Sequence, residues 1–280
     1  MGSTAGPYHR FMKRSDEAPI TPLELPRHIQ RLLVFGGSFD PPHSYHLSGP
    51  FAAWRMFCDE FAEVLYVPAA KSPFKPDGTR ASDEHRLAML RLALDGSHPI
   101  WTDEIDRAAW ERARGVERPS YTVDTLRRLR EVVPDVELRL LIGSDQLAGL
   151  RRWKDVRQVV RLAEPLVLVR PPVTTVHGVW NALDQNFWTM PELREWCGRI
   201  APNVPVEESS TRARDAIPGA PDQAHLWEGV EPLRGISRRV AEYIIANNLY
   251  GFRTEGKKAV RPGDHRPARA VTLKGRKGPK

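Results

Sequence analysis

The sequence of 280 residues has little cysteine and no long hydrophobic run. Neither of its two cysteines, Cys58 and Cys197, belongs to a CxxC pair, which excludes a disulfide scaffold, a zinc ribbon and a redox dithiol. No apolar stretch approaches the roughly 18 residues that cross a bilayer, so a membrane span is excluded. The first residues lack the apolar core of a signal peptide, and Gly6 stands where N-myristoylation requires Ser or Thr. We therefore expect a cytoplasmic protein.

The positive charge is concentrated at one end of the chain. The net charge is +7, but residues 252–280 hold ten Lys or Arg against two acidic residues, so the rest of the chain is nearly neutral. Because this tail also has three prolines and few large apolar side chains, we expect it to be disordered. A solvated tail is favoured over a nucleic-acid arm, and weak contact with nucleic acid through the tail is the alternative.

The remaining residues predict one α/β domain behind an irregular leader. Residues 1–30 hold four prolines among polar residues, whereas short apolar runs alternate with helical patterns over 31–251. This alternation is typical of a Rossmann-like parallel sheet flanked by helices, which binds ligands at the carboxyl ends of its strands. Residues 171–207 form an aromatic-rich insertion that covers the sheet, lines a pocket or makes a subunit contact. Strands are predicted at 31–39, 63–68, 136–142 and 166–169, and helices at 51–61, 83–94, 121–132 and 236–250.

The loop after the first strand has the features of a phosphate-binding site. Gly36 and Gly37 let the backbone approach a ligand closely, and the helix that follows presents free N–H groups to an anion. His43 and His46 can share one face and donate hydrogen bonds to a polyphosphate. An HxxH pair without a carboxylate partner is a weak zinc motif, so no metal ligand is predicted. The loop matches neither GxGxxG nor GxxxxGK[ST], which disfavours an ordinary dinucleotide fold and a P-loop enzyme.

Six segments in order resemble the nicotinate mononucleotide adenylyltransferases of the nucleotidyltransferase superfamily. The segment GGSFDPPHSYH is similar to the opening strand and HxGH signature of that family, and SSTRAR is similar to its SSTxxR phosphate motif. The resemblance spans about residues 31–251, interrupted by the insertion. The other four segments are VPAAKSPFK, RPSYTVDTL, LIGSDQLAGLRRW and the closing helix with its terminal LY.

The resemblance implies adenylyl transfer from ATP to nicotinate mononucleotide, a step of NAD biosynthesis that gives the deamido dinucleotide and pyrophosphate. The phosphate of the acceptor has a second pKa of about 6, so it is mostly dianionic at neutral pH and needs no general base. Catalysis would then rest on positioning and charge stabilisation. Mg²⁺ is implied as an ion on the substrate phosphates with no dedicated protein ligand.

The resemblance also implies roles for individual residues. His43 and His46 match the catalytic histidines that hold the ATP phosphates, with His46 closest to the α-phosphoryl group. Thr122 and Asp145 match contacts to the acceptor nucleotide, and Trp153 matches the tryptophan that stacks on the pyridine ring. The remaining ATP and phosphate contacts are Gly37, Ser38, Phe39, Lys75, Ser209, Ser210, Thr211 and Arg214.

The sequence departs from the family pattern beside the histidines. Tyr45 stands where the HxGH signature has glycine, and a bulky side chain there would crowd the nucleotide or shift the start of the helix. Proline is comfortable only in the first turn of a helix. Pro50 therefore predicts that the first helix begins near Ser48 and that His46 lies on the preceding loop.

Other interpretations stay open. The acceptor is alternatively nicotinamide mononucleotide or another phosphomonoester, although the SYTVDTL and GSD…W segments argue against phosphopantetheine. The chain is alternatively a degenerate nucleotide-binding or RNA-binding protein. Without the resemblance, Ser209 is an ordinary helix N-cap and Trp153 a buried core residue. Nothing in the sequence specifies an oligomeric state.

Overall fold

The computed structural model describes five ranges of the chain. They are residues 17–57, 61–75, 77–201, 209–217 and 235–251. The predicted basic tail at 252–280 lies outside the described residues, as does the first half of the predicted leader. Residues 17–30, the described part of the leader, contain no helix or strand.

Four parallel strands form the sheet at the centre of the domain. They lie in the order β2–β1–β3–β4, with Val34 of β1 paired to Leu65 on one side and to Leu140 on the other. Each strand is a nearly continuous run of buried apolar residues, as expected for a parallel sheet with both faces covered. The predicted α/β class is therefore confirmed. The strands are β1 (Arg31–Gly37), β2 (Ala62–Pro68), β3 (Glu137–Gly143) and β4 (Glu164–Leu168).

Helices cover both faces of the sheet. Alternate residues of β1 enter two cores: Leu32 and Val34 pack with Leu126, whereas Leu33 and Phe35 lie in a second cluster near the first helix. The helices are α1 (Tyr45–Trp54), α2 (Asp83–Leu94), α3 (Asp103–Arg112), α4 (Thr122–Val132), α5 (Val156–Leu162), α6 (Val176–Ala182), α7 (Met190–Gly198), α8 (Ser210–Ala216) and α9 (Arg238–Ala246). A 3-10 helix, Ser144–Arg152, follows β3.

A third core joins α2 to the closing helix. Val240, Tyr243 and Ile244 of α9 are at most 3% exposed and pack with Met89 of α2, as their spacing predicts. Ile217, at the end of α8, belongs to the same cluster and is fully buried. The closing helix thus anchors α8 to the main domain. Helix α8 carries most of the SSTRAR segment, residues 209–214, which is called the serine-rich motif below.

The first helix begins earlier than its proline predicts. It begins at Tyr45, so His46 lies in its first turn and the predicted start near Ser48 is wrong. The N–H that Pro50 lacks would have bonded the carbonyl of His46. That carbonyl instead accepts a hydrogen bond of 2.8 Å from the hydroxyl of Tyr66. A tertiary contact therefore satisfies the backbone and lets the proline sit inside the helix.

The aromatic-rich segment covers one face of the sheet. Trp188 and Trp196 are 3% and 1% exposed, and their ring centroids lie 5.5 Å apart in the core that contains β1 and β3. The capping box between Thr189 and Glu192 fixes the start of α7. Of the helices that the structure describes, none has the length and apolar character needed to cross a membrane.

Candidate functional site

A cavity of about 720 Å³ lies at the carboxyl ends of the strands. Its wall comes mainly from the loops after β1 and β2, from the 3-10 helix after β3 and from the first turns of α4 and α8. This edge is where open α/β sheets bind ligands. All thirteen residues that the sequence nominates line this one cavity: Gly37, Ser38, Phe39, His43, His46, Lys75, Thr122, Asp145, Trp153, Ser209, Ser210, Thr211 and Arg214. The structure brings these residues together, and their individual roles stay predictions.

The two histidines face each other at the cavity wall. Their ring centroids are 3.8 Å apart, and the edge of Phe39 packs against His46 at 5.0 Å. The main-chain N–H of His43 donates a hydrogen bond of 3.1 Å to Nδ1 of His46. A neutral His46 therefore carries its proton on Nε2 and can donate from that atom. Nδ1 of His43 is buried and has no hydrogen-bond partner among the described residues. The pair therefore offers hydrogen-bonding groups to a ligand.

Both imidazoles are held in the neutral form. Burial, and then the charge of Arg170, lower the pKa of His43 from 6.5 to about 3. Burial also lowers the pKa of His46 well below its usual value, with smaller contributions from His43 and Arg170. A neutral imidazole can donate a hydrogen bond but brings no charge. The positive charge at this wall must therefore come from side chains such as Lys75, Arg170 and Arg214, which line the same cavity.

A buried carboxylate, Asp40, joins distant parts of the chain beside the histidines. It accepts the N–H groups of Arg80 and Ala81 at 2.8 and 3.1 Å, and the hydroxyl of Tyr250 at 2.7 Å. Arg214 donates to the main-chain carbonyl of Asp40 at 2.5 Å, and its guanidinium lies 3.8 Å from the carboxylate. Helix α8 and the turn after α9 are thus fixed to the loop that precedes the histidines.

Two cations hold the loops after β1 and β2 together. Arg86 is fully buried and donates to the carbonyls of Ser38 and Ala69 at 2.5 and 2.8 Å. Lys75 donates to the hydroxyl of Ser38 at 3.1 Å. Burial and the nearby Arg214 lower the pKa of Lys75. The ends of the two strands therefore form one wall with several fixed donors.

The hydroxyls of the serine-rich motif already have partners. Ser209 is the N-cap of α8 and accepts from the N–H of Arg212 at 3.2 Å, which matches its plain N-cap interpretation. Ser210 donates to the carbonyl of Pro41 at 2.8 Å, and Thr211 accepts from Arg214 at 3.1 Å. The motif therefore joins the histidine loop and orients Arg214 at the cavity.

The cavity lining also presents an aromatic ring and a carboxylate. Trp153 is half-buried and lines both the main cavity and a smaller one of about 210 Å³, which it shares with Phe74 and Tyr121. It is therefore not the fully buried core residue of the alternative interpretation. Asp145 is exposed, and its Oδ1 lies 3.7 Å from Nε of Arg170.

Sequence reasoning missed several residues of the lining. Arg170 follows β4 almost directly, so its position at the end of a predicted strand was the signal that could have identified it. Glu104 lies on α3, which was not predicted, and its buried carboxylate accepts from Arg107 at 2.8 Å and Thr125 at 2.9 Å. The other missed polar side chains at the cavity are Ser72, Ser120, Thr125, Gln146 and Arg152.

The charged side chains of the site do not form a metal cage. Within the described ranges, no group of three or more His, Cys, Asp or Glu side chains is placed to hold a metal ion. The two acidic groups at the cavity, Asp145 and Glu104, each lie beside an arginine. The site is thus built chiefly from hydrogen-bond donors and cations, which suits a polyphosphate.

A parallel sheet whose strand ends bring neutral histidines and basic side chains to one cavity is typical of the class of nucleotidyltransferases. The model of the family described as cytidylyltransferase-like matches residues 34–215. A probable nicotinate-nucleotide adenylyltransferase from Chromobacterium violaceum is 36% identical over 236 residues, which cover 79% of this chain and 98% of that protein. The chain therefore belongs to the cytidylyltransferase-like family, in its group of nicotinate-nucleotide adenylyltransferases.

Further comparisons agree with this placement. A probable nicotinate-nucleotide adenylyltransferase from Prosthecochloris aestuarii is 32% identical over 225 residues, covering 80% of this chain and 100% of that protein. A solved structure of the Plasmodium falciparum nicotinic acid mononucleotide adenylyltransferase, complexed with NaAD, superposes with a TM-score of 0.53. It covers 80% of this chain and 98% of that chain at 17% identity, so it supports the fold.

Proposed function

We propose that the protein transfers the adenylyl group of ATP to nicotinate mononucleotide. An oxygen of the acceptor phosphate forms a bond to the α-phosphorus of ATP, and the bond from that phosphorus to the β-phosphate oxygen breaks. The products are the deamido form of NAD and pyrophosphate. The observation that carries the proposal is the single cavity that joins the histidine pair, four cationic side chains and Trp153 at the strand ends.

The histidines would act as hydrogen-bond donors and not as bases. The acceptor phosphate is mostly dianionic at neutral pH, so no proton has to be removed from the nucleophile. A neutral His46 with its proton on Nε2 is ready to donate to an α-phosphoryl oxygen as charge develops there. His43, which lines the cavity beside it, would contact the ATP phosphates.

Different parts of the lining would hold the two substrates. Lys75 and Arg214 bring positive charge next to the loop after β1, where the ATP phosphates would lie. In another part of the lining, the ring of Trp153 would stack on the pyridine ring of the acceptor, with Thr122 and Asp145 contacting the same nucleotide. Gly37, Ser38 and Phe39 would add backbone donors to the phosphates.

Magnesium would enter as part of the substrate, MgATP. Both carboxylates at the cavity are next to arginines, so neither is well placed to give up its partner for a metal ion. Mg²⁺ commonly keeps several waters and binds through substrate phosphates.

Because the reaction consumes ATP, we expect it to take place in the cytoplasm.

The preferred acceptor would be the acid and not the amide. A carboxylate gives backbone and side-chain donors a charged acceptor with two oxygens, whereas an amide offers one uncharged oxygen. The helix N-terminus that carries Thr122 provides such donors at the cavity. The similarity to probable nicotinate-nucleotide adenylyltransferases favours the same choice.

The decisive experiment measures pyrophosphate release by the full chain. The purified protein is incubated with MgATP and, separately, nicotinate mononucleotide, nicotinamide mononucleotide or phosphopantetheine. We expect a larger kcat/KM for the nicotinate nucleotide than for the other two, and turnover that stops when EDTA removes magnesium. A preference for the amide would overturn acid specificity alone. No pyrophosphate with any acceptor would favour a degenerate nucleotide-binding protein.

A further inference from the structure

Tyr45 stands at the glycine position of the HxGH signature, and its side chain is buried. It is 2% exposed, and its hydroxyl donates to the carbonyl of Val169 at 3.2 Å. Gly49, one turn along α1, lies against the ring, since a Cβ there would be in ordinary van der Waals contact with it at 3.5 Å. The ring is therefore fixed between α1 and the end of β4, and reaches the cavity there.

The guanidinium of Arg170 lies over this ring. Its Cζ is 5.0 Å from the centroid of Tyr45, and its Nε is 3.7 Å from Oδ1 of Asp145. The backbone of Arg170 is fixed as well, because its N–H donates to the hydroxyl of Ser144 at 2.9 Å and its carbonyl accepts from Val173 at 2.9 Å. Only a fifth of the side chain is exposed, and it lines the same cavity as the histidines.

We propose that Tyr45 is a positioning residue that holds the Arg170 guanidinium where it meets the charge of the reacting phosphates. The inference rests on the proposed adenylyl transfer. A cation within about 6 Å of an aromatic ring is attracted to its face, and arginine keeps its charge at every pH of interest. Tyr45 therefore fixes the direction of a permanent charge without cancelling it.

Tyr45 and Asp145 differ in what they do to the charge of Arg170. A carboxylate such as Asp145 offsets the positive charge, whereas the ring of Tyr45 does not neutralise it. The neutral histidines supply hydrogen bonds but no charge. Arg170 thus stabilises the charge of the reacting phosphates at this wall. The six segments that resemble the family did not identify it.

Steady-state kinetics of the full-length protein with MgATP and nicotinate mononucleotide test the proposal. Arg170→Met removes the charge and keeps an unbranched side chain, and we expect kcat to fall by ~10²-fold with smaller changes in both KM values. Tyr45→Leu removes the ring, and we expect kcat to fall by about 3- to 30-fold. Tyr45→Phe keeps the ring and should stay within about 3-fold of wild type.

The double variant separates positioning from general damage to the fold. If Tyr45 acts through Arg170, adding Tyr45→Leu to Arg170→Met lowers kcat no further. The exposed arginine of α9, Arg238, gives the control Arg238→Met, which should not change kcat. Thermal unfolding checks that each variant is folded.

Three results would overturn the inference while leaving adenylyl transfer in place. They are a kcat for Arg170→Met within about twofold of wild type, full additivity in the double variant, and a loss in Tyr45→Phe as large as in Tyr45→Leu. If Tyr45→Leu does not fold, Arg170→Met and Tyr45→Phe still decide the question. An inactive wild type would overturn the proposed function and this inference together.

Discussion

The hydroxyl of Tyr66 donates a hydrogen bond of 2.8 Å to the main-chain carbonyl oxygen of His46. In a regular helix this carbonyl would accept the N–H four residues on, but Pro50 has none. Tyr66 is 1% exposed at the end of β2, so the bond lies inside the protein. The strand next to the histidine loop thus completes the first turn of α1 and holds His46 at the cavity.

The first prediction concerns this replacement bond. Tyr66→Phe should lower the free energy of unfolding by about 1–3 kcal/mol, because it leaves a buried carbonyl without a partner. Pro50→Ala restores the helical N–H, so in that background the same substitution should cost less than about 1 kcal/mol. Urea denaturation of the four proteins in this cycle measures both values. If Tyr66→Phe lowers the free energy of unfolding equally with and without Pro50→Ala, the hydrogen bond from Tyr66 does not replace the missing helical hydrogen bond.

The second prediction concerns pH. His43 has a pKa of about 3 in the folded protein against 6.5 as its ordinary value. Between these values the unfolded chain binds a proton that the folded chain does not, so the free energy of unfolding falls as the pH is lowered through this window. At pH 5 the loss from this residue alone is about 2 kcal/mol relative to pH 8.

Replacing the histidine tests this assignment. His43→Asn should lose less stability than wild type between pH 8 and pH 5, whereas His98→Asn, which removes a histidine outside the cavity, serves as the control. Chemical denaturation at a series of pH values provides the comparison. The same steep fall in His43→Asn as in wild type would contradict burial of a neutral His43.

The sequence predicts the sheet well because each strand is a local apolar run that ends near glycine or proline. It does not predict α3, because the buried face of that helix is charged: Glu104, Arg107 and Glu111 are nearly inaccessible and bond to each other. The start of α1 was also missed, since the partner that rescues its proline is Tyr66, on the next strand. In α1 a distant contact satisfies the polar group, whereas in α3 the charged side chains pair within the helix and are buried together, which an apolar pattern does not reveal.

In the candidate site, too, the sequence predicts some residues and misses others. Its nominated residues fall in loops at strand ends, so motif and topology together place them at one edge of the sheet. Arg170 escaped notice because its surroundings come from two distant segments, one carrying Tyr45 and the other Ser144 and Asp145. Only folding brings these groups around one guanidinium, and no spacing in the sequence encodes that.

The third prediction concerns the buried ion network of α3. Arg107 donates to Glu104 at 2.8 Å and to Glu111 at 2.7 Å, and both carboxylates are about 1% exposed. Arg107→Met should destabilise the protein by about 3–5 kcal/mol, because it leaves the buried Glu104 without its cation and the buried Glu111 with only the exposed Arg118, 2.8 Å away. Arg238→Met breaks an exposed pair with Glu242 and should cost less than about 1 kcal/mol. Equal losses in thermal or urea unfolding would contradict the importance of burial here.

The fourth prediction concerns the donor atom of His46. The amide nitrogen of glutamine can stand near Nε2, whereas that of asparagine stands near Nδ1 and cannot reach as far. If Nε2–H donates to the transferring group, His46→Asn should lower kcat by at least ~10²-fold, and His46→Gln should lower it less. ATP binding, measured by calorimetry, should change less than kcat in both variants. The assignment fails if the two variants turn over equally fast, or if folded His46→Asn keeps near-normal kcat.

The last prediction concerns the proposed contact between Trp153 and the acceptor. Trp153 is half-buried and lines both the main cavity and the smaller one. If its ring stacks on the pyridine ring, Trp153→Ala removes an interaction of about 0.5–1.5 kcal/mol beyond the buried area, so the KM for the acceptor should rise several-fold. The KM for ATP should change little, because the proposed contacts of the ATP phosphates, Lys75 and Arg214, are other residues of the lining. Trp153→Phe should recover part of the loss, and Trp110→Ala, which removes a tryptophan outside the cavity lining, should leave both KM values unchanged. A rise confined to the KM for ATP would place the acceptor elsewhere, since the stacking surface would then belong to the adenine nucleotide.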